Sequence, residues 1–332
     1  MIVGEGEYRY EVVEGWEQLP SGWSHGDVAG VATDSQDRVY VFNRSEHPVI
    51  VYDRDGTFLD TWGDTTLYPR PHGITIVDDM VYLADVTDHT VRKCTLDGKV
   101  LLTLGTPRQP SDTGYRANVP HNLTTIERAA GPFNLPTRVA VAPNGELYVS
   151  DGYGNARVHR FSADGELLQS WGEPGTGPGQ FNLPHSVWVH TDGRVWICDR
   201  ENDRVQIFSP EGEVVETWTN VTRPGDLFVA RDGTVYVGEM GWEQGTTNMC
   251  GRLLDEDRQS RLTIRDQQGT ILSAWGGADP CASDGFSAPH GLWVDSRGDV
   301  YVGEVSQTAL TSFYKHTSWH EGCHSLIKFA RI

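Results

Sequence analysis

The sequence predicts an all-β fold, a six-bladed β-propeller built as a single domain over residues 1–332. Three observations carry this. Strand-like runs recur with one internal pattern along the whole chain. The runs are short and alternating, are broken by Asp-Gly or Asn-Gly, and never sustain an apolar period near 3.6 residues. Units close on Trp-Gly or Leu-Gly, as at Trp62-Gly63, Leu104-Gly105, Trp171-Gly172 and Trp275-Gly276.

Each unit reads as an apolar strand, a turn, a Val-Tyr-Val-like strand ending in an acidic residue, a third strand, an Asp-Gly or Glu-Gly turn, and a closing strand. The first unit runs from Ala29 through Val39–Phe42 and Val49–Asp53 to Trp62-Gly63. The second runs from His72 through Val81–Asp85 to Leu104-Gly105. The third begins near Asn134 and passes Leu147–Asp151 to Trp171-Gly172; the fourth begins at Asn182 and passes Val195–Asp199 to Trp218. The fifth goes from Pro224 through Val235–Glu239 to Trp275-Gly276, and the sixth from Pro289 through Val300–Glu304 to Phe329.

One such unit cannot bury both faces of its sheet, so the units must stack around a channel. The sixth stops after three strands. The otherwise unassigned Tyr8–Trp16 is expected to supply its outer strand and close the ring, leaving no long raw edge. The closing tryptophans are expected to wedge between neighbouring blades. Three stretches break the rhythm, Thr106–Pro132, Gly241–Arg261 and Ser306–Ser325, and are expected as loops over the channel mouth.

The net charge of −19 argues against nucleic acid, whose phosphates need clustered Lys and Arg, and against anionic membrane surfaces. No apolar run of about 18 residues is present to span a bilayer. The first residues show no basic stretch followed by an apolar core, so no signal peptide is expected. Five cysteines without a CxxC pair suit reduced thiols and a cytoplasmic location, although Cys250 and Cys281 could pair in an oxidising compartment.

Three stretches share one grammar: Pro71-His72-Gly73, Pro184-His185-Ser186 and Pro289-His290-Gly291. The histidines open the innermost strands of the second, fourth and sixth units. Ala29, Thr137 and Gly225 hold the same slot in the other three. Sixfold pseudo-symmetry then aims three imidazoles at one axis, with small residues between. Three nitrogen ligands and an open position make a catalytic zinc pattern.

Gly175–His185 resembles an NHL-type repeat. Val41-Phe-Asn-Arg44, Pro71-His72-Gly73, Asp151-Gly-Tyr153-Gly, Leu183-Pro-His185, Cys198-Asp-Arg200-Glu-Asn-Asp-Arg204 and Pro289-His290-Gly resemble, in the same order, the peptidyl-α-hydroxyglycine α-amidating lyase family. The resemblance covers all six units. It implies zinc on His72, His185 and His290, with Tyr153 taking the substrate hydroxyl proton. Arg44 and Arg200 would hold the substrate carboxylate and the developing charge. It also implies a structural calcium on the backbone carbonyls of Val31 and Ile74. Its third calcium contact is an Asp after the last His, where this chain has Gly291. A cysteine follows the family's tyrosine, where this chain has Gly154.

The expected activity is metal-dependent C–N cleavage of an α-hydroxy-N-acylglycine-like substrate to an amide and glyoxylate. A small molecule or short N-acyl amino acid is expected as substrate. The alternatives are a zinc- or calcium-dependent hydrolase of esters, lactones or amides on the same ring, or a non-enzymatic binding platform. His320-Glu-Gly-Cys-His324 spells H-E-x-x-H, but Gly322 and the strand that follows argue against a protease helix. His47, His89 and His121 match no pattern and are read as loop or surface residues. Asp85, Glu239 and Glu304 end second strands and are expected to make structural hydrogen bonds facing the channel.

Overall fold

Alternating apolar runs joined by tight turns fold into antiparallel meanders, and six of these stand around one axis. The computed structural model describes residues 1–312 and 323–332. The first blade comprises Val28–Thr33, Val39–Asn43, Val49–Tyr52 and Phe58–Trp62, in that order from the axis outward. The next four blades repeat the order, with innermost strands Pro71–Val77, Pro136–Val141, Pro184–Val189 and Pro224–Val229. The inner strand of the sixth, Pro289–Val294, packs against that of the first, so the ring is closed.

Closure uses the N-terminus as the repeat count required. Tyr8–Val13 pairs antiparallel with Leu326–Arg331, Val12 opposite Phe329. One strand was not anticipated: Ile2–Glu5 folds back on Tyr8–Val13 and makes the sixth sheet five-stranded. It lies outside the repeat, so no periodicity announced it.

The closing tryptophans pack on the neighbouring blade. Trp62 of the first blade lies beneath Gly98 in the last turn of the second, where a Cβ would come within 2.6 Å of the indole. Trp171 lies likewise under Gly212, with a Cβ there 2.9 Å from the ring. Both glycines have φ above +80°, so the Asp-Gly and Glu-Gly turns serve turn geometry and wedge together.

The acidic residues ending the second strands hold the chain that enters each inner strand. Backbone N–H groups of Arg70, Thr222 and Ala288 donate to Asp85, Glu239 and Glu304 at 2.8, 2.8 and 3.1 Å. Their role is structural as expected, but they are buried in that loop rather than open to the channel. His47 stacks on Trp23 at 3.4 Å, and His121 reaches Asn248 O at 3.2 Å. His89 is a loop residue as expected, in the turn between two strands, but it is buried rather than on the surface and receives Leu135 N–H at 3.1 Å.

The cysteine expectation is corrected. Cys281 is bonded to Cys323, not to Cys250, which is free along with Cys94 and Cys198. Spacing alone could not pair them, because the 42-residue separation is closed by the sixth blade folding back on itself. Among the described residues no helix is long and apolar enough to cross a membrane.

Candidate functional site

Proline opens five of the six inner strands, where its missing N–H faces the channel and removes no ladder bond. One residue later the ladder register shifts in every blade, as between Pro184 and Ser186, or Pro289 and Gly291. A bulge leaves one residue unpaired and re-aims its side chain. In the second, fourth and sixth blades the residue at that slot is the histidine.

The structure brings His72, His185 and His290 together. One ligand nitrogen from each lies within 4.8 Å of the others, and all three rings are buried. Each Nδ1 faces a carbonyl of the next blade: Thr137 O at 2.6 Å, Gly225 O at 2.5 Å and Ala29 O at 2.8 Å. These are the small residues at the same slot in the odd blades. A carbonyl can only accept, so each Nδ1 carries the proton and each Nε2 presents a bare lone pair. Burial first, and then neighbouring imidazoles and the guanidiniums of Arg44 and Arg200, hold all three rings well below the ordinary imidazole range. This donor set fits a transition-metal ion with an open position.

Tyr153 stands over the trio. Its hydroxyl is 3.0 Å from His185 Nε2 and 3.4 Å from His72 Nε2, and Arg200 Nη1 donates to it at 3.2 Å. Arg200 is buried, with Nε on Glu201 at 2.9 Å and Nη2 against Met249 Sδ at 3.1 Å. Its pairing with Glu201 is therefore buried in the site wall. Burial works against the Glu201 charge, yet Arg223 and Arg200 hold that carboxyl down at about 2. Arg44 donates from Nε to Pro71 O and from Nη1 to Asp27, both at 3.2 Å.

Above these groups opens a cavity of about 540 Å³, within the range of small-molecule sites. All three rhythm-breaking stretches contribute to its wall, through Tyr115 and Asn122, Met249, and Thr308 with Ala309. Thr308 belongs to the helix Ser306–Ser312 and is pinned by Asp27. Residues 313–322 lie outside the described residues, including His320 of the H-E-x-x-H string. His324 is described: its Nε2 donates to Gly285 O at 3.2 Å, and it is not one of the three converging imidazoles.

The same bulge slot plus one residue sets the next layer of the channel. Arg138 and Asp226 meet there as a fully buried ion pair. Asp226 also accepts from Ser186 Oγ at 2.6 Å and from Leu292 N at 2.8 Å. Val31 and Ile74 are buried in the inner strands of the first and second blades. The carboxylate needed beside them for calcium is absent: a Cβ at Gly291 would come within 2.6 Å of Gly30 Cα. With Asp226 engaged by a guanidinium, the residues at this level do not fit calcium. Farther along, Trp188, Phe228 and Trp293 pack ring on ring at 4.6 to 5.6 Å.

Sequence reasoning missed Asp27, Arg70 and Arg223, which share one signal: they stand two residues before the bulge slot.

An NHL repeat model matches residues 133–161 and 181–208. The chain is 36% identical over 328 residues to NHL repeat-containing protein 3 of Mus musculus, covering 92% of this chain and 83% of that one. It is 29% identical over 325 residues to a probable peptidyl-alpha-hydroxyglycine alpha-amidating lyase of Caenorhabditis elegans, covering 86% and 81%. It spans 60% of the human NHL repeat-containing protein 3 and 34% of a peptidyl-glycine alpha-amidating monooxygenase of Xenopus laevis. A solved streptogramin B lyase superposes with a TM-score of 0.60 at 12% identity, 96% of each chain covered, which speaks for the fold alone. The chain belongs to the NHL-repeat β-propeller family of NHL repeat-containing protein 3 and the peptidyl-α-hydroxyglycine α-amidating lyases.

Proposed function

We propose that the chain is a zinc-dependent lyase that cleaves the C–N bond of an α-hydroxy-N-acylglycine-like substrate, giving an amide and glyoxylate. The observation that carries this reading is the position of Tyr153 Oη, 3.0 Å from a ligand-type imidazole nitrogen and 3.2 Å from Arg200. His72, His185 and His290 would hold the ion through Nε2. Zinc, when bound, acidifies a coordinated hydroxyl.

Tyr153 Oη would be the base that takes the proton of the substrate hydroxyl. The oxygen's electron pair forms the carbonyl, the C–N bond breaks, and the same proton passes to the departing amide nitrogen. Arg200 has its donors on Tyr153, Glu201 and Met249, so its task is to stabilise charge on the phenol oxygen. Arg44 keeps Nη2 for the substrate carboxylate, since Nε and Nη1 are occupied. We infer that the ring axis is held by the Arg138–Asp226 pair rather than by calcium. The free Cys94, Cys198 and Cys250 suit a cytoplasmic setting, whereas the Cys281–Cys323 bond suits an oxidising one.

The test is glyoxylate release from α-hydroxyhippurate by zinc-loaded protein, beside turnover of an ester and a lactone. Tyr153→Phe should lower kcat for the lyase reaction by about 10²- to 10⁴-fold. Ester turnover without glyoxylate would replace the lyase by a hydrolase, and no turnover of either would favour a binding platform.

A further inference from the structure

The cavity wall is more cationic than one substrate carboxylate requires. Arg44, Arg70, Arg200 and Arg223 all line it, and among the described residues no Asp or Glu side chain does, in a chain of net charge −19. Among the described residues two carboxylates pair with these guanidiniums from behind the wall. Asp27 pairs with Arg44, and Glu201 is shared by Arg200 and Arg223. Four guanidiniums against two carboxylates leave an excess of two positive charges before any metal is counted.

That excess has an address. Around the ring the residues two before the bulge slot are Asp27, Arg70, Leu135, Leu183, Arg223 and Ala288, of which Arg70, Leu135, Arg223 and Ala288 line the cavity. Asp27 and Arg223 are engaged. Arg70 is exposed, and among the described residues its guanidinium meets no carboxylate and no hydrogen-bond acceptor. Arg44 Nε leans on Pro71 O, the residue next to Arg70, so the two cations are neighbours. After burial, the charge of Arg70 is the next cause that lowers the Arg44 pKa. A second anion beside Arg70 would relieve that repulsion.

We propose that the substrate carries two anionic groups: the glycine carboxylate at Arg44, and a second, on the acyl group, read by Arg70 toward the cavity mouth. This rests on the lyase reading and names its substrate class as N-acyl-α-hydroxyglycines with an acidic acyl chain.

The test compares α-hydroxy-N-succinylglycine, with two carboxylates, and α-hydroxyhippurate, with one, in the zinc-loaded protein. Wild type should favour the succinyl probe in kcat/KM by about 10- to 100-fold, as expected for a charge-assisted hydrogen bond. Arg70→Gln should bring the ratio of the two near one, and Arg70→Glu should invert it. Equal kcat/KM for both probes in wild type, or an Arg70→Gln ratio unchanged from wild type, would overturn the proposal. A parallel titration uses N-succinylglycine and hippurate, which lack the hydroxyl and cannot react. If neither hydroxylated probe releases glyoxylate, the lyase reading fails. Tighter binding of N-succinylglycine, lost in Arg70→Gln, would still support the two-anion site, and equal binding would overturn it as well.

Discussion

Replacing Arg138 by methionine tests what holds the channel axis together. The substitution keeps much of the volume and leaves Asp226 buried without its counter-charge, with only Ser186 Oγ and the N–H groups of Leu227 and Leu292 as partners. Burial already raises the Asp226 pKa, even with Arg138 lowering it. Breaking a buried pair on one side costs about 3–5 kcal/mol. At about 2.1 cal/mol/K per residue, 332 residues give an unfolding entropy near 0.70 kcal/mol/K, so Tm should fall by about 4–7 °C. Thermal unfolding is followed by circular dichroism, with EGTA and again with millimolar calcium. Wild type should melt at the same temperature in both. Arg138→Met should melt low in EGTA and recover part of the loss in calcium, as the freed Asp226 carboxylate lies in the same layer as the inner-strand carbonyls. A wild-type Tm that drops several degrees in EGTA would refute the reasoning, because calcium would then be resident beside the ion pair.

Two further outcomes follow from the same structure. Burial raises the Glu304 carboxyl to about 8 from an ordinary value of 4.5, so the folded chain keeps a proton that the unfolded chain releases. Stability from this group is full below pH 4.5 and is lost as pH rises toward 8, by up to about 1.4 kcal/mol, or about 2 °C, per pH unit. Glu304→Gln removes that dependence, so its Tm relative to wild type should climb between pH 5 and pH 8.5; a constant difference would show that Glu304 does not titrate there. Gly212→Ala drives a Cβ into Trp171 at 2.9 Å, whereas Gly145→Ala, at a similar φ, meets only Ala163 Cβ at 3.6 Å. The first should lose about 2–4 kcal/mol and the second about 1, measured by urea unfolding; equal losses would mean the wedge contributes nothing beyond turn geometry.

What was legible in the sequence is what the repeat made periodic. The blades, the N-terminal closure and the alternate placement of His72, His185 and His290 follow from one pattern read six times. The carbonyls that fix the imidazole tautomers were present too, since Ala29, Thr137 and Gly225 were identified by slot; only the bulge that turns the rings toward them was not. Reading one residue past the slot would have shown Arg138 facing Asp226 among glycines and a serine. Reading two residues before it would have shown Arg70. The Ile2–Glu5 strand and the Cys281–Cys323 bond escaped because neither repeats: one is an edge addition, the other depends on where two loops meet. That Glu201 is buried beside Arg200 is a tertiary fact that no local pattern carries.

The proposed chemistry requires three bare Nε2 atoms to converge on one ion. The most direct measurement is metal analysis with X-ray absorption on protein purified with zinc, wild type beside His185→Ala. Wild type should hold one zinc per chain with imidazole nitrogens at about 2.0–2.1 Å, and the variant should lose that zinc. Wild-type protein that binds no zinc, or holds it through cysteine sulfur at about 2.3 Å, would contradict that chemistry.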